Sequence, residues 1–152
     1  MPGKYLKGPL LAAALALASL PARAQDDVVE RSFATALIRD VLAAVNHGNW
    51  TGNYTVVRDY AAPDFADAND PTKLAALFVR LRAERLDLTR ALVVEPVILN
   101  AQLTPMRDQM RLTGYFPLQP QHVSFDLTFA EEGSRWWMTG ISVGAFDPIE
   151  VE

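Results

Sequence analysis

The stretch HVSFDLTFAEEGSRWWMTGISV, residues 122–143, decides the fold. Its first half alternates without a break: His122, Ser124, Asp126 and Thr128 are polar, and Val123, Phe125, Leu127 and Phe129 are apolar. A period of two sends successive side chains to opposite faces of a sheet, which predicts a strand with one wet face and one buried face. The turn Glu131-Glu132-Gly133-Ser134 follows, and a strand from about Arg135 to Val143 returns beside the first. A two-residue turn at Glu132-Gly133, where glycine tolerates positive φ, pairs Trp136 with Phe129 and Met138 with Leu127, both inward. Ile141 and Val143 then face inward only if Gly140 marks a bulge that resets the alternation. A three-residue turn would bring Trp137, Ile141 and Val143 inside without a bulge; the bulge is the preferred reading.

Residues 109–117 alternate as well, with Met110, Leu112 and Phe116 on one face and Arg111, Thr113 and Tyr115 on the other. If the loop FPLQPQ (116–121) joins neighbouring antiparallel strands, pairing centred near Leu118 and Gln119 sets Arg111 opposite Asp126, Thr113 opposite Ser124 and Tyr115 opposite His122. It also sets Leu112 opposite Phe125 and Met110 opposite Leu127, and a slip of one residue would spoil both matches. His122 and Asp126, four residues apart on one strand, are separated by roughly 13 Å, so they cannot form a catalytic pair. The polar row therefore reads as a solvated or partner-covered face. Upstream, ALVVEPVILN (91–100) is rich in β-formers, and Pro96 makes it an edge strand or a bulge site.

Ahead of the strands the period lengthens. Val29, Phe33, Leu37, Val41 and Ala44 trace one face of a helix over Asp27–Asn46, with Asp26, Asp27 and Glu30 at its positive end and Gly48 after it. A shorter helix over 49–62 has Asn53 as its cap and Tyr54, Val57 and Ala61 on one face, and Pro63 stops it. A polar loop, Asp64–Asp70, leads into a third helix that opens with Asp70-Pro71 and buries Leu74, Leu77, Phe78 and Leu81. The fold class expected is α+β: three N-terminal helices packed on an antiparallel sheet of about four strands.

The first residues read as an export signal. Lys4 and Lys7 precede an apolar run from Pro9 to Leu20, and Ala22-Arg23-Ala24 offers small residues where a signal peptidase reads, with cleavage after Ala24. The run falls short of the ~20 apolar residues a membrane span needs. Residues 1–24 are thus expected to be removed, leaving a periplasmic single domain of residues 25–152 with no membrane insertion after cleavage. Taking Lys4, Lys7 and Arg23 from the 14 basic residues leaves 11 against 18 acidic, a net charge of −7. Such a chain repels nucleic acid, whose binding rests on neutralised phosphates. There is no cysteine, so neither a disulfide nor a thiol-based zinc or redox centre is expected.

Three helices followed by a curved sheet, ending in a hairpin with Trp136 and the run Met138-Thr139-Gly140-Ile141-Ser142-Val143, resemble the nuclear transport factor 2-like superfamily. GNYTVVRDYAAPDF (52–65) is similar to the second helix and following loop of its small exported members. The resemblance covers about Val28 to Phe146. It implies a cone-shaped (cystatin-like) α+β roll, a pocket between helices and sheet, and frequent dimerisation through the sheet's outer face. The superfamily's steroid isomerases use a tyrosine on the first helix, a carboxylate base and a protonated strand acid. Here the first helix has no tyrosine, and Asp59, Tyr60 and Asp126 are loose substitutes. Since activity does not follow from fold, catalysis does not transfer.

The residues that could carry function fall into two sets. Trp50, Tyr54, Asp59, Tyr60 and Trp136 are pocket candidates for a small apolar ligand, although such large rings equally complete a core. Arg111, Tyr115, His122 and Asp126 are interface candidates for a homodimer or an envelope protein partner. Asp64, Asp67, Asn69 and Asp70 lack the glycine and terminal glutamate of a calcium loop, and no nucleophile elbow or phosphate loop occurs, so no metal, cofactor or catalytic residue is assigned. The expected function is a binding or interaction module, with a small acid–base isomerase or dehydratase built on a pocket carboxylate or tyrosine as the alternative.

Overall fold

A computed structural model describes residues 28–148 of the chain. The proposed leader, its cleavage at Ala24 and the acidic Asp26 and Asp27 lie outside the described residues. Among those described, the order is α1 (Arg31–Thr51), α2 (Thr55–Tyr60), α3 (Pro63–Ala68), α4 (Pro71–Leu77), α5 (Val79–Ala83), a 3-10 turn (Leu88–Leu92), then β1 (Val97–Leu103), β2 (Gln109–Phe116), β3 (His122–Glu132) and β4 (Arg135–Phe146). The four strands form one antiparallel sheet in sequence order, so the class is α+β.

The first helix departs from its expected frame at both ends and round its axis. Glu30 caps it, accepting from Ser32 N at 2.9 Å and Phe33 N at 3.0 Å, which satisfies two of the orphan amides of the first turn. It runs on through Gly48 and ends at Gly52, whose φ of +73° is the left-handed cap glycine supplies cheaply. Gly48 is instead a packing residue, because a Cβ there would lie 2.5 Å from the Tyr54 ring. The buried stripe is Ala34, Ile38, Val41, Leu42 and Val45, while Phe33 is 43% exposed. Two apolar stripes share Val41 on this helix, and the sheet took the one carrying Ile38 and Leu42.

The segment after α1 is more helical than expected. Residues 49–51 belong to α1, and α2 begins only at Thr55, with Asn53 Oδ1 accepting from Thr55 N. Tyr54, Val57 and Ala61 are buried as their spacing predicts. The stretch expected as a polar loop is α3, because Pro63 occupies a first-turn position where its missing N–H costs nothing. Asp70 caps α4 by accepting from Lys73 N, as read. Phe78 breaks the third helix into α4 and α5; its ring is buried with Leu74 and Leu81, whereas Leu77 is 54% exposed.

Strand β1 begins only after Pro96, so the first half of ALVVEPVILN is not strand. Arg39 takes its carbonyls: Nε donates to Ala91 O and Nη2 to Val94 O, each at 3.1 Å. Asn46 adds a second tie, accepting from Leu88 N and donating to Thr89 Oγ1. β1 is an edge strand, and its register shifts between Ile98 and Asn100, as an edge after proline allows. Val28 bridges Gln102 on its free side.

The β2–β3 register is two residues away from the expected one: Arg111 faces Thr128, Thr113 faces Asp126 and Tyr115 faces Ser124. The turn centre lies further along because Leu118 folds under the sheet, where it is 6% exposed. A shift of two keeps every side chain on its face. The same holds at the last hairpin. Its turn is Gly133-Ser134, with Gly133 at φ +67°, and Met138 faces Phe129 while Trp136 faces Glu131. The bulge is present, between Met138 and Gly140, and it returns Val143 to the core at 8% exposure.

One continuous core joins the helices to the sheet. Ile38, Leu42, Tyr54, Leu74 and Phe78 meet Met110, Leu112, Phe116, Leu127, Phe129 and Met138 there. The segment after α2 also joins the free edge of β4, where Ala62 N donates to Met138 O at 2.8 Å and Ala61 bridges Met138.

Candidate functional site

The outward side chains of the sheet form the broader of two candidate surfaces. Arg111 grips Asp126 with two hydrogen bonds, Nε to Oδ1 at 3.0 Å and Nη2 to Oδ2 at 2.7 Å, although the two residues lie diagonal to each other in register. These bonds hold the Asp126 carboxyl below its ordinary value, with burial working weakly against them. Further along the same face, Tyr115 stacks on His122 with ring centroids 5.3 Å apart, and Phe146 meets both edge-on at 5.6 and 5.3 Å. Val97 lies opposite Tyr115 on β1. All four interface candidates are therefore brought together, and they face away from the helices. His122 Nδ1 lies 3.3 Å from Leu118 O.

Open depressions flank the ion pair. One of about 350 Å³ runs past Gln102, Arg111, Thr128 and Thr139, and another of about 290 Å³ past Asp126, Gly140 and Ser142. Phe146 was missed from the sequence. Carrying the alternation of β4 three residues beyond Val143, with the bulge in place, would have found it.

The pocket candidates do not converge on one site. Asp59 is exposed over 59% of its side chain and pairs with Arg58 at 3.1 Å. Trp136 packs against the core from its rim. Tyr60 is half-buried; burial, then the charge and hydrogen bond of Asp40, push its phenol up to about 12 against the pull of Arg135. The Arg135 guanidinium lies 3.9 Å from the Trp137 ring and 5.2 Å from that of Tyr60, a cation–π stack at the hairpin end.

Trp50 and Tyr54 both lie near the C-terminal end of α1, but Tyr54 is packed in the core and does not line the cleft beside Trp50. Tyr54 is fully buried, its ring 5.6 Å from Phe78, and its hydroxyl donates to Asn49 Oδ1 at 2.6 Å. Burial pushes the Tyr54 phenol up, and Arg82, 5.6 Å from the ring, pulls the other way. Asn49 and Trp50 line a cleft of about 50 Å³ with Leu81, Arg82, Arg85 and Leu86. Asn49 Nδ2 is buried there without a hydrogen-bond partner, a condition that costs about 1–3 kcal/mol. Arg85 has φ +51°, and a non-glycine residue held so costs of the order of 1–3 kcal/mol. Sequence reasoning assigned neither Asn49 nor Arg85 to a site, since neither an orphaned amide nor a left-handed backbone leaves a mark in residue spacing.

No model of a known protein family, no curated protein and no solved structure matches the chain. Among the described residues, no helix is long and apolar enough to cross a membrane.

Proposed function

We propose that the chain is an exported, non-catalytic interaction module of the nuclear transport factor 2-like type, and that the outer face of its sheet pairs with the same face of a second copy. The observation that carries this reading is the row Val97, Tyr115, His122 and Phe146, which places one apolar or aromatic side chain from each strand on a single outward band. Aromatic residues are the groups that anchor protein interfaces.

Charge and size support the same occupant. The ionised side chains at the centre of this face, Arg111 and Asp126, already satisfy each other. A copy docking there meets a locally neutral surface on an otherwise acidic chain. Four strands about 4.8 Å apart and some 30 Å long give a face of roughly 570 Å² in projection. Its corrugated accessible area then comes near the ~800 Å² per partner of a standard interface. The order of helices followed by four antiparallel strands supports the superfamily reading. Lys4, Lys7, the apolar run and the Ala24 cleavage site support export to the periplasm. An acid–base alternative asks for a buried carboxylate opening into a cavity, and the exposed, ion-paired Asp59 does not supply one.

Sedimentation of residues 25–152 at micromolar concentration tests the pairing. A dimeric mass is expected, with Tyr115→Glu monomeric yet carrying unchanged circular dichroism. A monomeric parent chain would remove the proposal.

A further inference from the structure

We infer that the cleft at the C-terminal end of α1 binds the carboxylate of a small organic acid, with Asn49 and Arg85 as its polar contacts and Trp50 as the rim that holds an apolar or aromatic body. This inference is independent of how the sheet face is used. It starts from two asparagines one helical turn apart. Asn46 is satisfied at both ends of its amide, accepting from Leu88 N and donating to Thr89 Oγ1. Asn49 is satisfied at one end only: its Oδ1 is taken by the Tyr54 hydroxyl, and its buried Nδ2 has nothing to donate to. Buried donors nearly always find an acceptor, so the one lacking here points to a group that arrives from outside.

The remaining walls specify that group. Two guanidiniums line the cleft. Arg82 is occupied, its Nη2 donating to Ala75 O at 2.9 Å while its guanidinium lies over Tyr54. Arg85 is exposed; its backbone N–H donates to Arg82 O at 3.1 Å, while among the described residues its guanidinium has no hydrogen bond or ion pair. A free planar fork beside a free amide N–H matches the two oxygens of a carboxylate and repels an amine. The cleft is small, about 50 Å³, and takes the head of a ligand more readily than its body. The body must lie outside, over Leu81, Leu86 and the 63%-exposed Trp50 ring. The Asp87 carboxylate, one residue beyond Leu86, is engaged by Thr89 N at 2.9 Å. Because the chain as a whole is acidic, affinity for an anion is expected in the millimolar range.

Titrating the ¹⁵N-labelled mature chain with phenylacetate, and separately with its uncharged isostere phenylacetamide, tests this. Phenylacetate is expected to shift the Asn49 side-chain amide and the Trp50 indole resonances saturably, and phenylacetamide to leave the Asn49 amide unmoved. Arg85→Gln should weaken phenylacetate by roughly tenfold, the worth of one charge-assisted contact, and Trp50→Ala should weaken it without changing the fold. A short peptide ending in phenylalanine, compared with its C-terminally amidated form, decides between a free acid and a peptide terminus as the source of the carboxylate. No saturable shift with either acid, an equal response to phenylacetamide, or an unchanged response in Arg85→Gln overturns the inference.

Discussion

Met110, Leu112, Phe116, Phe125, Leu127 and Phe129 are at most 2% exposed. Arg111, Thr113, Tyr115, Asp126 and Thr128 stand one residue away from them on β2 and β3, and all of these reach solvent. The same two strands thus present one face that is energetically committed and one that is chemically available. On the inner face each side chain meets helix residues and gains from leaving water. On the outer face Arg111 with Asp126, and Tyr115 with His122 and Phe146, find partners within the sheet and keep solvent on one side. Substitutions on the two faces should therefore differ in what they change: stability inside, association outside.

The largest separation is expected between Phe129→Ala and Thr113→Ala. The first empties a site that is 1% exposed and should cost about 3–5 kcal/mol of unfolding free energy, whereas the second should stay within about 1 kcal/mol. Urea denaturation of both variants checks this, and comparable midpoints would show that the faces are not distinct. A smaller effect, about 1–3 kcal/mol, is expected for Gly114→Ala. The added Cβ would lie 2.1 Å from Val97 O and 2.8 Å from Phe125, so β1 must yield or the strand must shift. Thermal unfolding of this variant should lose stability while the outer face keeps its sequence.

The smallest effect concerns pH. Because Arg111 holds the Asp126 carboxyl below its ordinary value, the pair contributes stability above the usual carboxylate range, near ~3.9, and loses it as pH falls through the depressed folded-state value. The residue is partly exposed, so solvent screening keeps the contribution small. Asp126→Asn should lower neutral-pH stability slightly and flatten the acid limb of the stability profile by the same small amount. An acid limb identical in the two proteins would show that the ion pair contributes nothing to folding.

Legibility in the sequence followed the physics of each element. Face identity on β2 and β3 was readable because a period of two survives any even slip, and the actual slip was two residues. The bulge near Gly140 was readable because without it Val143 would have faced water. What escaped was set by contacts distant in the chain. Phe33 and Leu37 compete with Ile38 and Leu42 for one buried stripe, and only the sheet's position chose between them. Ala91 to Val94 have strand-like side chains, yet Arg39, more than fifty residues earlier, takes two of their carbonyls. Alternation alone placed Arg111, Tyr115, His122 and Asp126 on the outward face of the sheet. Of the residues lining the cleft at α1, spacing had singled out only Trp50 as a pocket candidate.

By itself the sequence determined the α+β class, an antiparallel sheet of about four strands, the buried and wet faces of its middle strands, and the absence of any cysteine-based staple. These follow from local period and composition, which every residue carries wherever the chain goes. Tertiary structure alone decided the exact registers, the stripe of α1 that turned inward, the conversion of 88–92 to a 3-10 turn, and the meeting of Asn49, Trp50, Arg82 and Arg85 around one cleft. Those depend on which partner reaches a hydrogen-bonding group or an apolar surface first, and that is settled only when segments far apart in sequence pack together.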